Sequence, residues 1–427
     1  MKSTGRDGSH KSMNILHLSP YFPSLRANHA GGVSMGKEIE TLQQDHEVWV
    51  LSFLSQPFDR ELYEDHKNDP HWQAVSISKW TRAWHILTEP WMPYYFAART
   101  SLRLALRLIS MVRKYQIDAI HAEYAAMGQY LWIKKLFPRL KFTLVEHDMT
   151  AQSYERKVAH SRGLKKAFMQ WQLAKVLCKE EKYIRKADHV LVFNEKDRKL
   201  IEKYYGRADV QVINPFFDEL GELSSFRAAE NQENGRTPEQ NGLKNHKDGM
   251  ICFLGQMARP ENHQAAMRLI RLFGEVEEKL QTDKSRDMTA RPELFIVGNR
   301  PSEELKSKES ESVHITGFVD DVDSYLRQAQ LAVFPLEQGA GIKVKVLRAM
   351  AVGTAVITGD IGAEGIDENY EVLIHAESDE EYVSAIRKYL SGENDTAKIG
   401  AQCRQFVLEH FGWEKSEKVL YKLYHSI

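Results

Sequence analysis

The chain has 427 residues, 42% hydrophobic and 27% charged, with a formal net charge of −1. That is the make-up of a globular protein long enough for two domains, and it exerts no global pull on nucleic acid. Three scattered cysteines, Cys178, Cys252 and Cys403, exclude a disulfide framework and a paired-cysteine zinc site, and point to a reducing compartment. Residues 1–12 lack the apolar run of a signal peptide and read as a disordered extension ahead of Met13. No stretch reaches the roughly 18–20 apolar residues of a membrane span. A cytoplasmic protein is expected, with peripheral contact at the inner face of a membrane left open.

Strand-like and helix-like segments then alternate, the pattern of a parallel sheet covered by helices. Residues 14–18 open the first series, followed by a helix around 34–44 and a strand at 47–52. Further strands are expected at 117–121, 141–146, 189–193 and 210–213. Residues 219–249 are rich in Glu, Asn, Gln, Ser, Gly and Lys, and read as a flexible insertion or linker. The second series restarts at 250–254 and continues at 294–297, 313–316, 331–334, 355–358 and 372–375, with a polar surface loop at 281–291. Residues 396–427 read as two helical pieces broken near Phe411-Gly412-Trp413. The fold class is therefore α/β, with two Rossmann-like domains, 13–218 and 250–395, facing each other across a cleft.

In an open parallel sheet, ligands lie at the carboxyl ends of strands. Pro20-Tyr-Phe-Pro23 and Gly31-Gly32 follow the first strand, where a double glycine either lets a substrate approach the backbone or forms a flexible turn. The glycines sit too far past the strand for a nicotinamide fingerprint. Glu146-His147-Asp148 ends a later strand, and an imidazole there can bond a hydroxyl or move a proton near neutral pH. Gly255 leaves the first strand of the second domain in a tight turn, with Arg259 as a further cation or a solvated surface group. Gly298 ends the next strand similarly.

The most informative stretch is Gly339-Ala-Gly-Ile-Lys-Val-Lys-Val-Leu-Arg-Ala-Met-Ala-Val-Gly353. Gly339 and Gly341 allow unusual backbone angles. Ile342, Val346 and Met350 recur at helical spacing, and Gly353 is placed to end the helix. Lys343 and Lys345 fall at the helix start, where the macrodipole disfavours cations; a bound phosphate resolves that conflict, and the alternative is a surface helix with two solvated lysines. Asp320-Asp-Val-Asp323 has metal-binding spacing, but capping of the following helix explains it and no metal site is expected. Residues 79–114 carry seven Lys or Arg, one acidic residue and a run of aromatics, and residues 156–186 carry ten basic residues against two acidic. Such segments suit anionic lipid headgroups, or are core aromatics with solvated charges. No nucleic-acid-binding motif accompanies them.

Together these pieces resemble the GT-B glycosyltransferases of family 4, from Met13 onward and most strongly between Phe253 and Gly365. The matching pieces are Gly-Gln-Met with Pro260 and Asn262, Ile296-Val-Gly298, Thr316-Gly-Phe-Val-Asp-Asp321, the Gly-Ile-Lys stretch and Gly362-Ala-Glu-Gly365. The N-terminal half matches through Pro20–Pro23, Gly31-Gly32, His147 and Asn194-Glu-Lys-Asp197. The resemblance implies transfer of a sugar from a nucleotide-sugar to a glycan, lipid-linked or small-molecule acceptor, with retention and without a metal or other cofactor. Lys343 and Lys345 would neutralise the donor diphosphate and His147 would contact the donor sugar. Gly31-Gly32 would shape the acceptor side and approach the phosphates, and the C-terminal helices (396–427) would cross back to the N-terminal domain. Family members usually carry a glutamate just before the Ala-Met of this helix, which accepts hydrogen bonds from the ribose, and many carry another eight residues earlier. Arg348 and Ala340 stand there, and arginine has no acceptor. Arg348 could turn to a phosphate and Glu364 to the ribose. Two alternatives follow: a weakened family member serving as a scaffold in glycan assembly, and a nucleotide-sugar epimerase.

Overall fold

The computed structural model describes residues 12–27, 29–216, 247–282, 291–339, 341–392 and 394–426. The expected N-terminal extension (all but Ser12), most of the 219–249 insertion, most of the 281–291 loop and Ala340 lie outside the described residues. The chain divides into two compact units, Met1–Phe216 with Trp413–Ile427, and Phe217–Gly412.

The first unit is built on seven parallel strands: β1 Asn14–Ser19, β2 Glu47–Leu54, β3 Trp72–Ser76, β4 Ala119–Glu123, β5 Lys141–Glu146, β6 His189–Val192 and β7 Gln211–Val212. Their order is β3-β2-β1-β4-β5-β6-β7. β2 is buried from Val48 to Leu54 without alternation, because both faces of a parallel sheet are covered. The edge strand β3 was not expected. It is short and only partly buried, and it is held by tertiary contacts such as the Trp72 ring stacked 4.2 Å from His66. The strand order reverses between β1 and β4, so the crevice at their carboxyl ends is the topological switch point.

The second unit has six parallel strands: β8 Lys247–Leu254, β9 Glu293–Val297, β10 Val313–Gly317, β11 Ala329–Phe334, β12 Ala355–Thr358 and β13 Ile374–His375. Their order is β10-β9-β8-β11-β12-β13, with the switch point between β8 and β11. β8 starts earlier than its apolar run because Lys247 pairs with Ala329 across a register shift. β13 is shorter than expected. The Asp367 carboxylate accepts from the backbone N–H groups of Glu371, Val372 and Leu373, and these residues turn instead of joining the sheet.

The expectation that both C-terminal helices cross back is corrected. Thr396–His410 stays with the second unit, where Gly400 packs so closely that an added Cβ would lie 1.9 Å from the Gly353 carbonyl oxygen. Only Trp413–His425 joins the first unit, with Trp413 Nε1 donating to Thr41 Oγ1 at 2.9 Å and Asn214 N donating to Ser416 Oγ at 2.6 Å. No helix among the described residues is long and apolar enough to cross a membrane.

Candidate active site

In the first unit, the switch point gathers His147, Gly31 and two residues that sequence reasoning missed, Glu123 and Tyr124. β4 runs two residues further than expected, so Glu123 ends the strand beside β5, which delivers His147. Glu123 Oε2 lies 2.7 Å from His147 Nε2, and the Tyr124 ring stacks on the imidazole at 3.7 Å with 4° between planes. Tyr124 takes a left-handed φ of 67°, a strained conformation for a bulky residue. Gly31 faces this pair, and an added Cβ would lie 2.0 Å from the Tyr124 hydroxyl oxygen. Gly31 and Gly32 do not form a loop: the helix starts at Ala30, because the His29 imidazole caps it by accepting from Gly32 N at 3.0 Å.

Behind His147 lies a fully buried polar chain. Glu123 Oε1 meets His17 Nε2 at 2.9 Å and His121 Nε2 at 3.1 Å, while His121 also meets Glu38 Oε2 at 2.8 Å and the Tyr424 hydroxyl at 2.6 Å. Burial opposes ionisation of Glu123, but hydrogen bonds from His121, His147 and His17 outweigh it and hold the carboxyl well below its usual range. Burial likewise opposes the charge on His121, yet Tyr424, Glu123 and Glu38 raise it well above the ordinary imidazole value. An ionised carboxylate only accepts, so the His147 Nε2 carries a hydrogen and its Nδ1 is turned away from Glu123. The same β5-to-helix turn is braced by Glu180, whose carboxylate accepts from Thr150 N at 2.7 Å and Ala151 N at 3.2 Å.

In the second unit, Gly255 and Gly298 press together at the carboxyl ends of β8 and β9. Gly298 has φ +149°, and a Cβ there would lie 1.7 Å from the Gly255 carbonyl oxygen, so no side chain fits. Asn262 lies against Gly255, donates to Gln256 O at 3.0 Å and accepts from Lys345 Nζ at 2.5 Å. Lys345 also sits 5.1 Å over the Phe253 ring. The helix begins at Val344, later than the Ile342 expected, which leaves Lys343 at the N-cap. Lys343 is buried, donates to Gly341 O at 2.5 Å and stands 3.4 Å from Glu364 Oε2, with Gly339 folded over its stem. Two solvated surface lysines are thus ruled out. Burial pushes the Lys345 ammonium down to about 7; Glu261 opposes that shift, while Lys343 and Arg259 add to it. Arg259 itself stays largely exposed, 3.9 Å from Glu261.

Arg348, standing where a carboxylate is usual, turns to Asp323: its Nε donates to Asp323 Oδ1 at 2.6 Å. Glu364 is engaged with Lys343. In the Asp320–Asp323 stretch, Asp321 caps the helix Val322–Gln328 by accepting from Ser324 N at 3.0 Å. Among the described residues two other groups have metal-ligand spacing, His17–His121–Glu123 and the exposed Asp360–His375–Glu377. In the first, the same atoms are engaged in hydrogen bonds to one another.

Two parallel α/β units, each with its chemistry-bearing side chains at a strand-order switch point, have the GT-B fold. Residues 248–392 match the family model described as glycosyl transferases group 1, and residues 38–219 match that of glycosyltransferase family 4. The chain belongs to these group 1, family 4-like glycosyltransferases. An uncharacterised glycosyltransferase of Methanocaldococcus jannaschii, MJ1069, is 21% identical over 313 residues, covering 70% of this chain and 71% of that protein. Sucrose-phosphate synthase of Thermosynechococcus elongatus superposes with a TM-score of 0.63 at 16% identity, over 97% of this chain and 98% of that one. HepE of Anabaena, solved with UDP, gives 0.62 at 16% identity, over 97% and 100%.

Proposed function

We propose that the protein transfers a sugar from a nucleoside-diphosphate donor to a glycan, lipid-linked or small-molecule acceptor, with retention and without a metal. The observation that carries this reading is the convergence of Lys343 and Lys345 at the start of helix Val344–Ala351, beyond the end of β11. Transfer breaks the bond between the anomeric carbon and a diphosphate oxygen. The electron pair leaves with the diphosphate, the acceptor oxygen bonds to the carbon, and the acceptor's proton passes to the departing diphosphate oxygen. Negative charge therefore grows on the leaving group, where two fixed ammonium groups and a helix start lower its energy. A bound Mg²⁺ provides the same compensation elsewhere, which supports a metal-independent reaction here.

His147 takes the role of a contact to the donor sugar, held by Glu123 and kept accessible by the missing side chain of Gly31. UDP is the first base to try, because HepE was solved with UDP and with UDP-glucose. The family assignment sets the epimerase alternative aside. The Arg348–Asp323 pair favours one second reading, a weakened transferase acting as a binding partner in glycan assembly. Calorimetric titration with UDP, GDP, dTDP and ADP sugars tests both. At least one is expected to bind and to hydrolyse slowly, with Lys343→Ala lowering that rate roughly 10²- to 10³-fold. Binding without any turnover supports the scaffold; no binding by any of them removes the donor site.

A further inference from the structure

The first unit carries two helices whose apolar stripes face solvent. Lys79–Thr88 has no buried residue, although it is ten residues long. It exposes Trp80 at 86%, Trp84 at 65% and Leu87 at 78%, spaced i, i+4 and i+7 along one face. The helix Gly163–Lys186 repeats the pattern in its first half, with Leu164 at 92%, Phe168 at 45% and Trp171 at 51% exposed. Some residues of these segments do join the core, notably Phe96, but the tryptophans do not.

The loop between Glu89 and Pro93, which follows the first helix directly, is tied to the second helix. Lys175 Nζ donates to Pro90 O at 3.1 Å and to Met92 O at 3.0 Å, while lying 3.4 Å over the Trp171 ring. Gln172 Oε1 accepts from Tyr94 N at 2.9 Å. Trp91, 61% exposed, stands on that loop. Lys79, Arg162, Lys165 and Lys166 flank the stripes and are exposed. The one acidic residue of the 79–114 segment, Glu89, is held by His85 at 2.8 Å and Thr100 at 3.1 Å.

We propose that this face docks on a lipid bilayer containing anionic phospholipid. Tryptophan has an apolar ring and a polar N–H, which suits the depth between headgroups and acyl chains. Lysine and arginine at the rim meet headgroup phosphates, so attraction is local even though the whole chain carries a net charge of −1. A second copy of the chain is a poor occupant, because a two-fold contact sets the same basic rims against each other. Docking itself needs no glycosyl transfer; its consequence, that the acceptor is presented by a lipid, rests on the function proposed above.

Flotation of the full chain with vesicles of phosphatidylcholine alone, or with about 30% phosphatidylglycerol, tests the surface. Binding is expected only to the anionic vesicles, weakening as salt is raised. The exposed-site variant Trp84→Glu/Trp171→Glu is expected to bind at least about tenfold less, and Lys165→Glu/Lys166→Glu to lose the lipid selectivity. UDP titration of the same proteins is expected to match the wild type, since these side chains lie outside the donor site. Failure of UDP binding in all of them counts against the donor reading and leaves the vesicle result standing. The docking proposal is overturned by absence of binding at low salt, by unchanged binding in both variants, or by a dimer that the variants abolish.

Discussion

Glu123 holds His147 by a 2.7 Å hydrogen bond from the imidazole Nε2, and the same carboxylate accepts from His17 on β1. One buried charge therefore fixes the ring of the candidate catalytic histidine and joins three strands of the first sheet. That double duty separates its mutants. Glu123→Gln is expected to lower turnover roughly 10²-fold or more through the wrong imidazole tautomer. It should also destabilise the fold by up to about 3–5 kcal/mol, because buried His121 loses one of its two carboxylate partners and keeps Glu38. His147→Ala should cost similar turnover with a much smaller fall in Tm. Thermal melts beside donor hydrolysis rates, with the His147 tautomer read by nitrogen NMR, check the distinction. Equal Tm losses would show that Glu123 acts only on stability.

Gly31 offers a narrower test of the same geometry. A methyl group at this position meets the Tyr124 hydroxyl oxygen at 2.0 Å, so Gly31→Ala must push Tyr124 off the imidazole. Turnover is expected to drop about 10²-fold, the usual effect of misplacing a reacting group by an ångström. The compensating double variant Gly31→Ala/Tyr124→Phe removes the clashing oxygen and should recover part of the loss.

Lys345 predicts a pH dependence of donor binding. Burial lowers its ammonium to about 7 in the free protein, and an anionic diphosphate beside it raises that value in the complex. Below pH 7 the group is already charged and binding takes up no proton. Above pH 7 binding must protonate it, so affinity falls by up to about tenfold per pH unit until the raised value is passed. The same shift makes the unliganded protein gain stability between about pH 7 and 10.5, where the unfolded chain binds the proton that the folded one has lost. Calorimetry in buffers of different ionisation enthalpy measures the uptake, and Lys345→Met should abolish both the slope and the uptake. A slope that survives in that variant belongs to another group.

Arg348 and Asp323 form a partly buried ion pair at 2.6 Å. Arg348→Ala is expected to cost about 1 kcal/mol of stability, a modest figure because water screens the exposed side of the guanidinium. The double variant Arg348→Glu/Asp323→Asn restores a carboxylate at the usual helix position without a like-charge pair. Its donor affinity is expected to stay at or below the wild-type value. A rise of tenfold or more, read by the same titration, would mark the natural chain as a weakened transferase.

Much of the fold was legible because parallel strands buried on both faces read as unbroken apolar runs. Val48–Leu54 and Leu331–Phe334 announce themselves in this way. The edge strand Trp72–Ser76 and the start of β8 at Lys247 did not, since polar residues are recruited there only by a neighbouring strand. Lys343 and Lys345 were marked by charge at a helix start, a local conflict visible in any window of sequence. Glu123 and Asn262 carry no such mark, and Asp323 reads only as one of several acidic residues at a helix start. Each acquires its role from a partner far along the chain, at separations of 24, 83 and 25 residues.

The amino-acid sequence by itself determined the two α/β units, the glycine-rich turns at their strand ends and the lysine pair that expects a phosphate. These follow from short-range rules of periodicity, backbone freedom and charge at a helix end. Tertiary structure alone decided that Lys345 is buried enough to approach neutrality, that His147 is held by Glu123, and that Arg348 is turned to Asp323. It also decided that only Trp413–His425 joins the first unit, and that two tryptophan-bearing helices remain unburied. The physical reason is that burial, desolvation and hydrogen-bond choice depend on which segments meet in space, and segment meetings are set by strand order and packing.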